Sequence, residues 1–291
     1  MDKVIRAVDR NQHFRFTIVD TTAMVEEMRR IHAASTTASA AMGRLLTMMV
    51  ILSYHLGNEQ ESITVNIRGG GPGGYLVGLT DQPGKARVTA QNPTVDIPSR
   101  PDHHLDVGSW VGKDGTLSLV RGMHLKDPVV GITELVSGEL GEDFASYFFH
   151  SEQTPAIVAV GVLVEPDYHV SHAGGIFVQA MPGATDEELD RLQSVADQMP
   201  SVTDLLRQGK TPEEILQDLF GSMNPAIMET GEPSYACSCS REKMHQALLS
   251  LPFSDRRVLA EEDHGAEVIC EFCRTRYHFT EQELYLPGEN L

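Results

Sequence analysis

Four cysteines occur in the 291 residues, and all of them fall in the last 55: Cys237, Cys239, Cys270 and Cys273. They read C-x-C, thirty intervening residues, then C-x-x-C. A secreted disulfide scaffold distributes its cysteines through a short chain, so this concentration points elsewhere. Two close thiol pairs joined by a loop supply four ligands to a tetrahedral zinc ion without strain. The two-residue gap in Cys270-Glu-Phe-Cys273 lets both sulfurs turn toward one ion, with strand-like residues 267–269 before it and 275–279 after it. Cys237-Ser-Cys239 is tighter, so its chelate bends differently. His264 and His278 lie near the second pair and are rival ligands. A module of this size with few large apolar residues has little core of its own, and a metal is a usual remedy.

Spacing leaves two readings open. In one, the metal is a structural staple. In the other, the same thiolates are a redox switch, because the thiolate is the nucleophile that an oxidant meets. Oxidation to disulfides would then remove the ligands, and with them the roughly 10–16 kcal/mol that zinc contributes to folding in small modules.

The length predicts about two domains. Residues 1–181 read as a mixed α and β domain. Residues 13–20 alternate as a strand with Phe14, Phe16 and Ile18 on one face. Thr21 or Thr22 then caps a helix carrying Met24, Val25, Met28 and Ile31, and 35–57 reads as a longer, buried helix. Strand patterns follow at 62–68, 75–81, 85–91, 116–121, 155–164 and 176–181, with a helix over 140–150. No regular βαβ rhythm appears, so the fold class is α+β. From Pro182 the pattern becomes short amphipathic helices. Thr185 with Glu188 forms a capping box, Ser201 caps a second helix, and Thr211-Pro212 opens a third. Isolated helices of that length are marginal in water, so 182–230 reads as a helical linker that must dock on something. Residues 231–291 complete the chain as the small cysteine domain.

Charge and motif searches exclude much. Net charge is −18, from 23 basic and 41 acidic residues, with −6 in 1–180 and −12 in 181–291. Binding to phosphate backbones rests on Lys and Arg, so nucleic acid is not expected, nor is an anionic membrane. The N-terminus lacks an apolar signal core, and the most apolar window, 45–52, is far shorter than the roughly 20 residues a bilayer requires. A cytoplasmic protein is expected. Gly69, Gly71 and Gly74 spell GxGxxG, but Pro72 interrupts and a strand follows, so a glycine-rich hairpin is expected instead of a dinucleotide site. No P-loop, G-x-S-x-G or H-E-x-x-H pattern is present, and no enzyme site is expected. Met42, Met48 and Met49 lie on the apolar helix and read as core.

Cys237-Ser-Cys239-Ser-Arg-Glu-Lys with Cys270-Glu-Phe-Cys273 resembles the redox centre of the heat-shock protein 33 family, the 33 kDa chaperonins. The resemblance extends through Gly69–Gly74, 107–115, 135–139, 151–155, 161–164 and 174–179, nearly the whole chain in order. Val129-Val130 departs from it, an aromatic being common there. The resemblance implies a cytoplasmic, stress-responsive, ATP-independent holdase. Reduced, it would bind one zinc per chain through Cys237, Cys239, Cys270 and Cys273 and be inactive. Oxidised, it would pair Cys237 with Cys239 and Cys270 with Cys273, release zinc, form a homodimer, and hold unfolding client proteins for downstream refolding chaperones. Two other classes remain as alternatives: a C-x-x-C thiol-disulfide oxidoreductase, and a zinc-knuckle nucleic-acid binder.

Overall fold

The computed structural model describes residues 1–58, 60–122 and 128–286. They form two compact units, Met1–Ala236 and Cys237–Leu291.

The first unit is built on two sheets around one buried helix. Ser35 caps that helix, α2 (Thr36–Ser53), its hydroxyl accepting from the Ala38 amide at 3.2 Å. Sixteen of its eighteen residues are buried, Met42, Met48 and Met49 among them. Among the described residues α2 is the one helix whose length and composition would suit a bilayer, yet 89% of it is buried inside the protein. Gly43 makes this packing possible, since a Cβ there would lie 2.6 Å from Val25 and 2.9 Å from Val162. Helix α1 (Thr22–His32) packs beside it and buries Met24, Val25, Met28 and His32; Ile31 is only half-buried. Asp2 satisfies the free amides of the first turn of α1, accepting from Ala23 and Met24 at 2.8 and 2.7 Å.

On one side of α2 lies a five-stranded antiparallel sheet. Its order is β10 (Ala226–Gly231), β1 (Lys3–Val8), β2 (Phe14–Asp20), β9 (Val170–Ala180) and β8 (Ala156–Val164). On the other side is a sheet of β11 (Ser234–Tyr235), β5 (Lys85–Ala90), β4 (Tyr75–Gln82), β3 (Ser62–Arg68), β6 (Thr116–Gly122) and β7 (Val129–Glu134). Neighbours are antiparallel except the β11–β5 pair. Short α3 (Val107–Val111) and α4 (Gly141–His150) complete the inner core.

The glycine motif is the β3–β4 hairpin loop. Trp110 on α3 explains it: Cβ atoms at Gly71 and Gly73 would collide with the Trp110 carbonyl and indole ring, while Gly70 and Gly74 have φ of +79° and +74°. Close packing, and not phosphate binding, uses these glycines.

The helices expected after Pro182 form as capped. They are α5 (Asp186–Gln198), α6 (Val202–Arg207) and α7 (Pro212–Phe220), with N-caps Thr185, Ser201 and Thr211. They dock on the outer face of the five-stranded sheet, where Leu192, Val202, Leu205, Leu206, Ile215, Leu216 and Phe220 meet Ile5, Phe14, Phe16, Ile18, Ile176 and Val178. This second core lies within the first unit. Pairing of β10 with β1 and of β11 with β5 carries the unit on to Ala236. The change of unit thus falls at the first cysteine.

Helix α5 has the lightest hold, with Leu192 its one buried residue. Its Glu188 compensates. The carboxylate accepts from the Thr185 amide at 3.0 Å, lies 2.8 Å from His13 Nδ1, and accepts from Asn11 at 3.3 Å. The Thr185 amide first, then His13, hold Glu188 down to about 2 against an ordinary 4.5. A depressed carboxylate stabilises above its unfolded pKa and loses that stabilisation as pH falls through the folded value. Loosening of α5 is therefore expected between about pH 4.5 and 2, read as faster amide exchange at 186–198 in wild type. In Glu188→Gln the exchange should already be fast at neutral pH and flat across that window. A wild-type profile equally flat would show that Glu188 is no latch.

Candidate metal centre

The second unit holds α8 (Arg241–Leu249), α9 (Phe253–Glu261) and a hairpin of β12 (Ala266–Ile269) with β13 (Arg276–Phe279). Its buried apolar core is Leu248, Ala260, Phe279 and Leu284. That is small for such a length of chain.

Both cysteine pairs sit on tight local structure. Cys270 and Cys273 belong to the knuckle joining β12 to β13, where the Cys270 amide donates to Thr275 O at 3.0 Å and the Arg274 amide to Cys270 O at 2.8 Å. Arg274 closes the turn at φ +57°. Cys237 and Cys239 lie just ahead of α8, whose N-cap Ser240 accepts from the Lys243 amide at 3.3 Å. Lys243 Nζ reaches back to Ser238 O at 2.6 Å and ties the C-x-C turn to its helix. Arg241 donates to His278 O at 2.8 Å, and its guanidinium lies 4.4 Å from the centroid of the Phe279 ring.

These turns bring all four sulfurs within 4.8 Å of one another. Cys237 is 3.6 Å from Cys270, and Cys239 is 3.3 Å from Cys273. Both distances exceed the roughly 2.05 Å of an S–S bond, and the four are free thiols. The rival imidazoles are turned to carboxylates. His264 Nδ1 is 3.0 Å from Glu281, and His278 Nε2 is 3.3 Å from Glu267. Among the described residues the ligand group contains the four cysteines and no histidine.

The electrostatics fit a cation. Burial first, then crowding by Cys239 and Cys270, holds the Cys237 thiol far above its ordinary range. Burial likewise raises Cys239, opposed by the Tyr277 hydroxyl 3.1 Å away. At Cys273 burial is outweighed by the Thr275 hydroxyl at 3.2 Å and the Thr275 amide, which bring the thiol down to about 7. Four sulfurs this close cannot all ionise unless a positive charge sits among them. The donor set therefore suits a soft divalent ion, with room for four ligands.

Thr275 and Tyr277 are the functional neighbours that reading the cysteines alone misses. They are two apart on the strand-like run that leaves the knuckle, so they face the same side. The hydrogen bond to Cys239, more than any burial, raises the Tyr277 phenol to about 12.

Comparison with known proteins agrees with the fold. The Hsp33 protein family matches residues 2–280. A 33 kDa chaperonin of Limosilactobacillus fermentum (strain NBRC 3956 / LMG 18251) is 40% identical over 284 residues, 97% of each chain. One from Clostridioides difficile (strain 630) is 38% identical over 283 residues, again 97% of each. Among solved structures, the 33 kDa chaperonin (heat shock protein 33 homolog) of Thermotoga maritima superposes with a TM-score of 0.90 at 35% identity, covering 97% of this chain and 96% of its own. With the family matched over residues 2–280 and four thiols gathered at one point, the chain belongs to the Hsp33 family of chaperones.

Proposed function

We propose that this chain is a cytoplasmic, ATP-independent holdase, and not an enzyme, whose capacity to bind unfolding proteins is set by oxidation of Cys237, Cys239, Cys270 and Cys273. One observation carries the reading: four thiols converge within 4.8 Å in a unit whose apolar core, among the described residues, has four buried members. The covalent state of the sulfurs therefore decides whether that unit stays folded. Zinc, when bound in the reduced state, would hold the sulfurs as thiolates and contribute the folding free energy the core lacks.

A peroxide is the simplest oxidant. Two thiols and one hydrogen peroxide give one disulfide and two waters, two electrons passing from sulfur to the peroxide oxygens. Two peroxides complete Cys237–Cys239 and Cys270–Cys273. Sulfurs tied in disulfides no longer serve as thiolate ligands, so residues 237–286 lose their staple. The linker helices then leave the sheet, and apolar surface opens to clients, which are held as substrates for other chaperones to refold. The oxidised chain is proposed to act as a homodimer.

A thiol oxidoreductase fits less well. Cys270 and Cys273 sit between two antiparallel strands, whereas the redox C-x-x-C motif opens a helix in a βαβ unit. A nucleic-acid zinc knuckle is opposed by the −12 charge of residues 181–291.

Light scattering of a heat-denaturing client tests the proposal. Oxidised protein is expected to suppress aggregation without nucleotide, and reduced, zinc-loaded protein much less. Equal suppression by both forms would leave a plain structural metal site. Each single Cys→Ser variant should bind zinc at least about tenfold more weakly, as loss of a ligand or its support does. Full-strength binding after any one replacement would return His264 or His278 as a ligand.

A further inference from the structure

The residues just before Cys237 are fixed to the edge of the six-stranded sheet by contacts that a connecting segment does not need. The Ser234 amide donates to Gly84 O at 2.9 Å, and the Ala236 amide donates to Ala86 O at 3.1 Å. Between them the Tyr235 hydroxyl donates to Val88 O at 2.9 Å. Carbonyls 84, 86 and 88 are alternate positions along one edge, and this short segment satisfies all three. Tyr235 lies against the inner core, and its oxygen is also 3.2 Å from His32 Nε2. Arg87, paired with Asp81 at 2.9 Å, donates to Ala236 O at 3.3 Å. His32, Ala86, Arg87 and Val88 are all buried.

We infer that residues 234–236 are an internal occupant of a client-binding edge, and that oxidation vacates it. This rests on the redox-holdase reading. A strand of two residues is too short to persist on its own pairing, and this one runs through Ala236 directly into Cys237. When the C-x-C turn unfolds, the segment gains chain entropy and leaves. The carbonyls at 84, 86 and 88 then lose their protein donors together. An edge in that condition pairs with the next extended chain it meets. The resident segment defines what fits: an extended stretch running parallel to β5, with an aromatic side chain entering the slot beside His32. An unfolding polypeptide carries such stretches, and a folded one hides them. The surface thus selects for the unfolded state by geometry, asking of the client sequence only an aromatic residue within an extended stretch.

Hydrogen exchange on the full-length protein tests this, with a permanently unfolded probe, reduced and alkylated α-lactalbumin, as client. On oxidation the Ser234 and Ala236 amides are expected to exchange at least about tenfold faster, the scale of one lost net hydrogen bond. Protection over 85–90 should fall with them and return when the probe is added. In the reduced, zinc-loaded protein, Tyr235→Ala should bind the probe without oxidant and with zinc content unchanged, while Tyr235→Phe, which keeps the ring, should stay closer to wild type. Persistent protection at 234 and 236 after oxidation would overturn the inference. So would β5 amides that remain open with the probe bound. Protection that returns without probe and rises with chaperone concentration would assign the edge to a second copy and overturn the client assignment. If Tyr235→Ala fails to fold, the wild-type exchange decides. Should oxidised wild type fail to suppress aggregation at all, the holdase reading itself falls; suppression with no change at 234–236 removes this inference alone.

Discussion

Stripping zinc from the reduced protein with a chelator is expected to unfold residues 237–286 while the inner core around α2 keeps its fold. The energetic comparison within the second unit is one-sided. Among the described residues Leu248, Phe279 and Leu284 are its large buried apolar side chains, with Ala260 beside them, and full burial of a large apolar side chain is worth about 1.5–3 kcal/mol. A structural zinc contributes about 10–16 kcal/mol in modules of this kind, more than these side chains together. The exposed ion pairs around the centre, such as Arg276–Glu267 and Arg274–Glu271, add about 0–1 kcal/mol each and cannot replace it. The first unit, by contrast, has two extensive cores of its own. Amide exchange should therefore become fast throughout 237–286 on chelation and remain slow over α2 and the central strands. Retained protection at β12 and β13 without metal would show that the hairpin folds unaided, and that oxidation must act by some route other than loss of a staple.

The elements legible in the sequence are those whose burial is one-sided. Residues 62–68 alternate with Ile63, Val65 and Ile67 inward, and β3 has those bounds. The caps at Ser35, Thr185, Ser201 and Thr211 announce their helices because each fixes a local hydrogen bond that needs no tertiary partner. What was hidden has a physical reason in each case. β1 buries Val4, Ile5 and Ala7 between two cores, so consecutive apolar residues blur its alternation. β9 begins at Val170 instead of 176 because Gly174 and Gly175, which look like a break, admit Leu206 on one face and Thr47 on the other. β10 is exposed along most of its length and exists by pairing with β1. The convergence of the four cysteines was readable from spacing. The hydroxyls of Thr275 and Tyr277 gain meaning only once the hairpin folds.

Replacing Phe220 by alanine is expected to undock the linker without touching the cysteines. Phe220 is fully buried, with its ring centroid 5.0 Å from that of Phe16, and removal of a buried aromatic of this kind costs about 3–5 kcal/mol. The segment it anchors has little else to lose. α7 is nine residues long, and a free helix of that length is marginal in water whatever its caps. α5 adds one buried leucine, and α6 adds Val202, Leu205 and Leu206. That loss therefore falls on local docking and not on the global fold, since the inner core around α2 shares no residue with this one. Ile5, Phe14, Phe16 and Ile18 would then be uncovered together, an apolar patch of a kind rare on a soluble surface. Reduced, zinc-loaded Phe220→Ala should bind a hydrophobic dye, exchange its 186–220 amides rapidly, and suppress client aggregation without oxidant. Leu189→Ala, at a half-buried position, should do so weakly. Dye binding without client protection would separate exposure of the sheet from the holding of clients, and would place the client surface elsewhere, on the β5 edge that residues 234–236 still cover in that variant.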